Sequence, residues 1–178
     1  TRYWRDWSSD VVLFRSVYGA DWVVLRQLTL TRSGVGAYGS VVVINAISIG
    51  TLVENCHIVA GFSTSTATNS IGIYSPSGGT SVDSMTMIRN NFIESGSYGV
   101  FLAAPNSTFR EPQNIIENNI ISGCSYQGIH MQDQRAPIVR GNTISPGGIP
   151  TLFSGIYLTN IDRGIQVYNN RVDARSSG

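Results

Sequence analysis

At 178 residues the chain has room for one domain with a continuous hydrophobic core and is too short for two. Its 12 basic and 11 acidic residues leave a formal net charge of +1, which excludes the electrostatic footprint of a nucleic-acid binder. The longest apolar stretch, Val41 to Ile49, is broken by Asn45 and Ser48 and falls far short of the roughly 18 to 20 residues that span a bilayer, so no membrane span is predicted.

The chain opens at Thr1 rather than Met, so a signal peptide or upstream domain would have been removed or lies outside it. Residues 1–10, with Trp4 and Trp7, read as an N-terminal segment or partial cap, residues 11–174 as the repeat domain, and residues 175–178 as a tail. An apolar-x-polar-polar-x-apolar pattern first occurs at Leu25 to Leu30 and returns at Val53 to Ile58. A second pattern, small-apolar-x-apolar, begins at Gly72-Ile73-Tyr74. The two then alternate as Ile88 to Ile93, Gly99 to Leu102, Ile116 to Ile121, Gly128 to Met131, Val139 to Ile144, Gly155 to Leu158 and Val167 to Val172.

Starting residues of the first pattern are 28, 35, 28, 23 and 28 positions apart, and the glycines of the second are 27, 29 and 27 apart. Period-two alternation within each segment predicts short strands, and strands returning at a near-constant interval must stack in parallel. The predicted fold is an all-β, single-domain right-handed parallel β-helix of about six coils, rising about 4.8 Å per coil. Glycines at Gly61, Gly96, Gly123 and Gly147 are expected at corners with positive φ. Cys56 and Cys124 fall about two coils apart, too far for a disulfide.

Within the first pattern the third and fourth positions collect Asn55, Asn90, Asn91, Asn118, Asn119, Asn142, Asn169 and Asn170. Asn tolerates left-handed backbone, and stacked amides bond from coil to coil, so this column is an asparagine ladder. By its N-N-x-I and G-I-x-L motifs, over about residues 11 to 174, the chain resembles the pectate-lyase-like β-helix superfamily. That superfamily contains polysaccharide lyases, glycoside hydrolases, uronan epimerases, phage tailspikes and adhesins, so the resemblance implies a fold more than a reaction.

Three outward rows follow from the alternation. Arg26, Glu54, Arg89, Glu117, Arg140 and Tyr168 alternate in sign and read as an exposed ion-pair ladder, each carboxylate between two guanidiniums. His57, Phe92, Ile120 and Thr143 form a partly apolar strip expected to mark a subunit contact, with no carboxylate beside His57. Tyr74, Phe101, His130 and Tyr157 make an aromatic row whose faces would suit pyranose rings, or would stabilise the sheet or a subunit contact equally well.

Adjoining loops carry Asp133 and Arg135 in one coil and Asp162 and Arg163 in the next, with Asp83 earlier. Asp133 and Asp162 are read as similarly placed, with carboxylates roughly 5 to 9 Å apart, a separation used in glycoside hydrolysis. Arg135-Ala136-Pro137-Ile138-Val139-Arg140 is similar to the R-x-P-x-x-R string of pectate lyases, and that resemblance implies Arg135 as the base of a β-elimination. The calcium-binding aspartate cluster and the W-x-D-H string of those enzymes are absent, as are the polygalacturonase and alginate-epimerase signatures. Asn106-Ser107-Thr108 forms an N-glycosylation sequon.

The candidate residues are therefore Asp133, Asp162 and Arg135 for catalysis and Tyr74, Phe101, His130 and Tyr157 for substrate binding. No cofactor is expected, calcium being the one ion considered, without a visible ligand cluster. The expected partner is a polysaccharide, and a homo-oligomer at the cell exterior or virion surface fits. A structural fibre, filament or adhesin module that stacks end to end is the alternative, and whether the chain is an enzyme stays open.

Overall fold

The computed structural model describes residues 17–32, 39–63, 70–76, 82–147 and 152–173. The expected cap at 1–10 and tail at 175–178 lie outside the described residues.

Three six-stranded sheets, all parallel, wind along one axis. Sheet A stacks Val17–Tyr18, Ser40–Asn45, Ile71–Ser75, Tyr98–Ala103, Gln127–Gln132 and Ser154–Thr159. Sheet B stacks Val24–Arg26, Leu52–Glu54, Met87–Arg89, Ile115–Glu117, Ile138–Arg140 and Gln166–Tyr168. Sheet C stacks Thr29–Thr31, His57–Val59, Phe92–Glu94, Ile120–Cys124, Thr143–Pro146 and Arg171–Val172. A two-stranded ribbon, Glu111–Pro112 with Gln134–Arg135, fills the corner between sheets A and B. Six strands per sheet are separated by five intervals, so the chain makes about five full turns rather than six.

Alternate strand residues turn inward, and Ile73, Val100, Ile129, Val53, Ile88, Ile116, Val139, Ile58, Ile93, Ile121 and Ile144 have no solvent exposure. Burial of a side chain this size contributes roughly 1.5 to 3 kcal/mol. Val167 occupies the same inward column yet is 45% exposed, because no further coil covers it among the described residues. Cys56 and Cys124 are buried and unpaired, as their separation in the repeat required.

The two asparagine columns have separate jobs. Asn55, Asn90, Asn118 and Asn169 hold φ between 52° and 55°, the left-handed corner between sheets B and C. Their neighbours form the ladder: Asn91 Nδ2 donates to Asn119 Oδ1 (2.9 Å), Asn119 Nδ2 to Asn142 Oδ1 (3.0 Å) and Asn142 Nδ2 to Asn170 Oδ1 (2.9 Å).

The glycine expectation needs correction. Gly96 and Gly123 have positive φ, but Gly61 and Gly147 do not. At Gly147 a Cβ would stand 2.3 Å from the Gly123 carbonyl oxygen, so close backbone approach, not φ, requires glycine there. The same holds in sheet A, where a Cβ on Gly99 or Gly128 would meet an Ile methyl from sheet C at 2.4 or 2.3 Å.

Candidate functional site

Because Ile73, Val100 and Ile129 point inward, their successors point outward. The register places Tyr74 beside Phe101, Phe101 beside His130 and His130 beside Tyr157. Successive ring centroids lie 5.5, 4.2 and 4.9 Å apart. Phe101 and His130 are within 24° of parallel, so their faces are turned to one another and ring edges look outward. Tyr157, at 63° to His130, is the most exposed of the four at 43%.

His130 is more than a member of the stack. Its Nδ1 lies 2.7 Å from Gln127 Oε1, which can only accept, so the ring proton sits on Nδ1. Nε2 is buried without a partner. Burial pulls the pKa down to about 4, and the imidazole is neutral at physiological pH.

One strand end further on, the loop residues form an arginine corner. Arg135 and Asp162 are bridged in register, and Asp162 Oδ2 accepts from Arg110 Nη1 at 3.2 Å and lies 3.7 Å from Arg163 Nε. Arg135 is exposed and without an ion-pair partner among the described residues. Two guanidiniums, of Arg110 and Arg163, thus meet one carboxylate, and the Arg135 main chain lies beside it. Asp133 is elsewhere: Gln132 pairs with Thr159 and Arg135 with Asp162, which puts Asp133 level with Asn160, two residues out of step with Asp162. Its carboxyl is buried, with Oδ2 accepting from Gln132 Nε2 and Oδ1 lacking a partner. The structure therefore groups Arg135 with Asp162 and leaves Asp133 apart.

The charged row of sheet B pairs as its signs foretold at Glu54, which lies between Arg26 and Arg89, whereas Glu117 is bonded to Arg140 and not to Arg89. Glu54 Oε1 takes Arg26 and Oε2 takes Arg89 at 2.7 Å, and Glu117 takes Arg140 at 2.6 Å while Arg140 Nη1 reaches the Tyr168 hydroxyl at 2.9 Å. Both carboxylates are buried rather than exposed, because the arginine heads lie over them. The Arg89 hydrogen bond, ahead of the Arg26 contacts, outweighs burial and holds the Glu54 carboxyl below its ordinary pKa. On sheet C, His57 Nε2 contacts Glu94 Oε2 and the ring stacks on Phe92 at 5.1 Å. A carboxylate does stand beside His57. It belongs to the strand diagonal, two residues beyond the direct partner, which a search of opposite positions misses.

A second pair of acids, stacked in register, lies inside. Asp83 and Glu111 are separated by the same offset that pairs Met87 with Ile115, and both are buried. Ser48, Asp83, Glu111 and Gln134 each fall five residues before the inward residue of a sheet B strand, namely Val53, Ile88, Ile116 and Val139. That count was available in the sequence. Among the described residues no group of three or more His, Cys, Asp or Glu is placed to hold a metal ion.

The coil geometry, the asparagine ladder and the glycine stack define a parallel β-solenoid. A family model described as "Right handed beta helix region" matches residues 16–176, and the chain belongs to that family. No curated protein and no solved structure matches it.

Proposed function

We propose that the protein is an extracellular or virion-associated β-helix that recognises a polysaccharide along the aromatic row of sheet A and the arginine corner beside it. The observation that carries this reading is the position of Tyr157. It is the exposed end of the row, and five residues later the chain reaches Asp162, the centre of the arginine corner. A ring free for stacking, with guanidinium donors at the loop five residues on, matches the apolar faces and the hydroxyl or carboxylate edges of a sugar chain. Since Phe101 and His130 turn their faces to each other and Tyr74 is tilted against Phe101, Tyr157 is the stacking anchor and the other rings hold it in place.

Cleavage of the ligand, if the protein is a depolymerase, would draw on Arg135 and Asp162 before Asp133, whose carboxyl is buried. The test is binding to a panel of acidic and neutral polysaccharides, with reducing-sugar release and absorbance at 235 nm read in parallel. Tyr157→Ala should weaken binding several-fold, since such stacking contributes around 0.5 to 1.5 kcal/mol beyond area burial, without unfolding the coil. Binding that is absent across the panel, or indifferent to Tyr157→Ala, overturns the reading.

The alternative, a structural module that associates through its faces, is favoured by the strip of exposed Phe92 and Ile120 on sheet C. Sedimentation of the wild type against Ile120→Lys decides that reading.

A further inference from the structure

Ser75 stands between two buried acids. Its Oγ is 2.9 Å from Asp83 Oδ2 and 3.1 Å from Glu111 Oε1. A hydroxyl carries one proton, so it satisfies one carboxylate as donor and meets the other as acceptor only if that second carboxyl is itself protonated. The remaining oxygens are taken by donors that cannot supply charge. Asp83 Oδ1 accepts the Ser48 N–H at 2.7 Å, and Glu111 Oε2 accepts Asn114 Nδ2 and Gln134 Nε2, both at 2.9 Å.

Among the described residues no cation compensates the pair. Arg110, next to Glu111 in sequence, turns to Asp162 and the Asn160 carbonyl. Arg135, whose backbone pairs with Pro112 across the ribbon, is exposed. The remaining nearby charge, Asp133, is acidic and buried, and its carbonyl takes the Glu111 N–H at 3.1 Å.

We infer that Glu111, Ser75 and Asp83 form a proton-dependent clasp across the coils, closed while Glu111 donates to Ser75 and Ser75 donates to Asp83, and loosened when that shared proton is removed. Ser48, Ser75, Glu111 and Gln134 lie on four successive coils, so one proton completes a hydrogen-bond chain that ties them together. Burial, and then the Asp83 charge, raise the Glu111 pKa from 4.5 to about 7 against hydrogen bonds from Gln134, Ser75 and Asn114 that lower it. The clasp therefore releases near neutrality. Release leaves two carboxylates on one hydroxyl, and the segment that gives way is the exposed loop over 106–109, which Glu111 anchors.

The direct measurement is the 13C titration of the Glu111 carboxyl in the wild type. A midpoint near neutrality is expected, and one near the ordinary 4.5 overturns the clasp. Asp83→Asn should move the midpoint down, because the neighbouring charge is gone, and an unmoved midpoint overturns the sharing. Glu111→Gln keeps the shape, offers an N–H to Ser75 and accepts from Asn114 and Gln134. Hydrogen exchange over 104–113, corrected for intrinsic rate, should quicken on the order of 100-fold between about pH 5 and about pH 8 in the wild type and stay level in Glu111→Gln. Matching profiles overturn the proposal, and the wild-type titration decides it should the variant fail to fold.

Discussion

Asn119 Oδ1 accepts both the main-chain N–H and the side-chain Nδ2 of Asn91, at 3.0 and 2.9 Å, so one amide oxygen closes two donors of the coil below. Asn119 Nδ2 in turn donates to the Ile88 carbonyl at 2.9 Å. Asn119→Leu removes these bonds in a buried site and leaves the Asn91 N–H and one hydrogen of the Asn91 side-chain amide unmatched. The expected cost is about 2 to 6 kcal/mol, at roughly 1 to 3 for each buried group left unpaired. Asn170→Leu should cost less, since Asn170 is only partly buried at the last described coil. Urea titration of both variants checks the order, and equal stabilities would remove the ladder as a determinant.

A second contrast separates space from backbone conformation. Gly128 has ordinary φ, yet a Cβ there would meet Ile144 Cγ2 at 2.3 Å and the Gly155 carbonyl oxygen at 2.7 Å. Gly164 has φ +73° and nothing within 4 Å. Gly128→Ala should destabilise by about 1 to 3 kcal/mol or prevent folding, through overpacking against backbone that cannot retreat. Gly164→Ala should cost about 1 kcal/mol from its left-handed conformation alone. Melting temperatures of the two variants test this, and a costlier Gly164→Ala would reverse the assignment.

What the sequence reveals depends on whether a position restricts residue type. Ile116 and Asn119 recur coil after coil because core and ladder accept few alternatives, so the repeat and the β-helix were legible. The left-handed corner at Trp22, Gly50, Met85, Gln113, Ala136 and Arg163 was not, since six different side chains share it and backbone bonds hold it, as from Met85 N–H to the Pro112 carbonyl. Asp133 and Asp162 both follow a sheet A strand, which makes them look like neighbours. Counted from Gly128 and Gly155, the residue level with Asp162 is Arg135. The aromatic row was legible as outward, but ring orientation is set by rotamers and contacts that periodicity does not contain.

Glu54 provides a test of the covered ion pairs. Its pKa is lowered, so the stability it contributes is present above the ordinary carboxylate value of 4.5 and is lost as the pH falls through the lowered one. Glu54→Gln should cost roughly 1 kcal/mol at neutral pH, in line with pairs whose arginines are solvated, and the difference from wild type should vanish in strong acid. Chemical unfolding at several pH values measures it. A deficit that persists unchanged in acid would show packing, not charge, to be what Glu54 supplies.

Finally, His130 and Glu111 bias the pH dependence of stability in opposite directions over nearly the same window. The folded pKa of His130 is lowered from 6.5 to about 4, so the fold opposes protonation and stability rises with pH across that interval. Glu111 is raised from 4.5 to about 7, so its contribution is full below 4.5 and lost as pH climbs through the folded value, worth about 3 kcal/mol at 1.36 per unit. In the wild type the two slopes oppose each other between about pH 4.5 and about pH 6.5, and the melting temperature there should vary little. Each variant exposes the other group. Glu111→Gln should melt progressively higher as pH rises from about 4 to about 6.5, with the lowered Glu54 adding to the slope at the acid end. His130→Phe keeps a ring against Phe101 and should melt progressively lower as pH rises from about 4.5 to about 7. Thermal melts of the three proteins across one buffer series suffice, and parallel curves would mean that neither buried group titrates as its surroundings require.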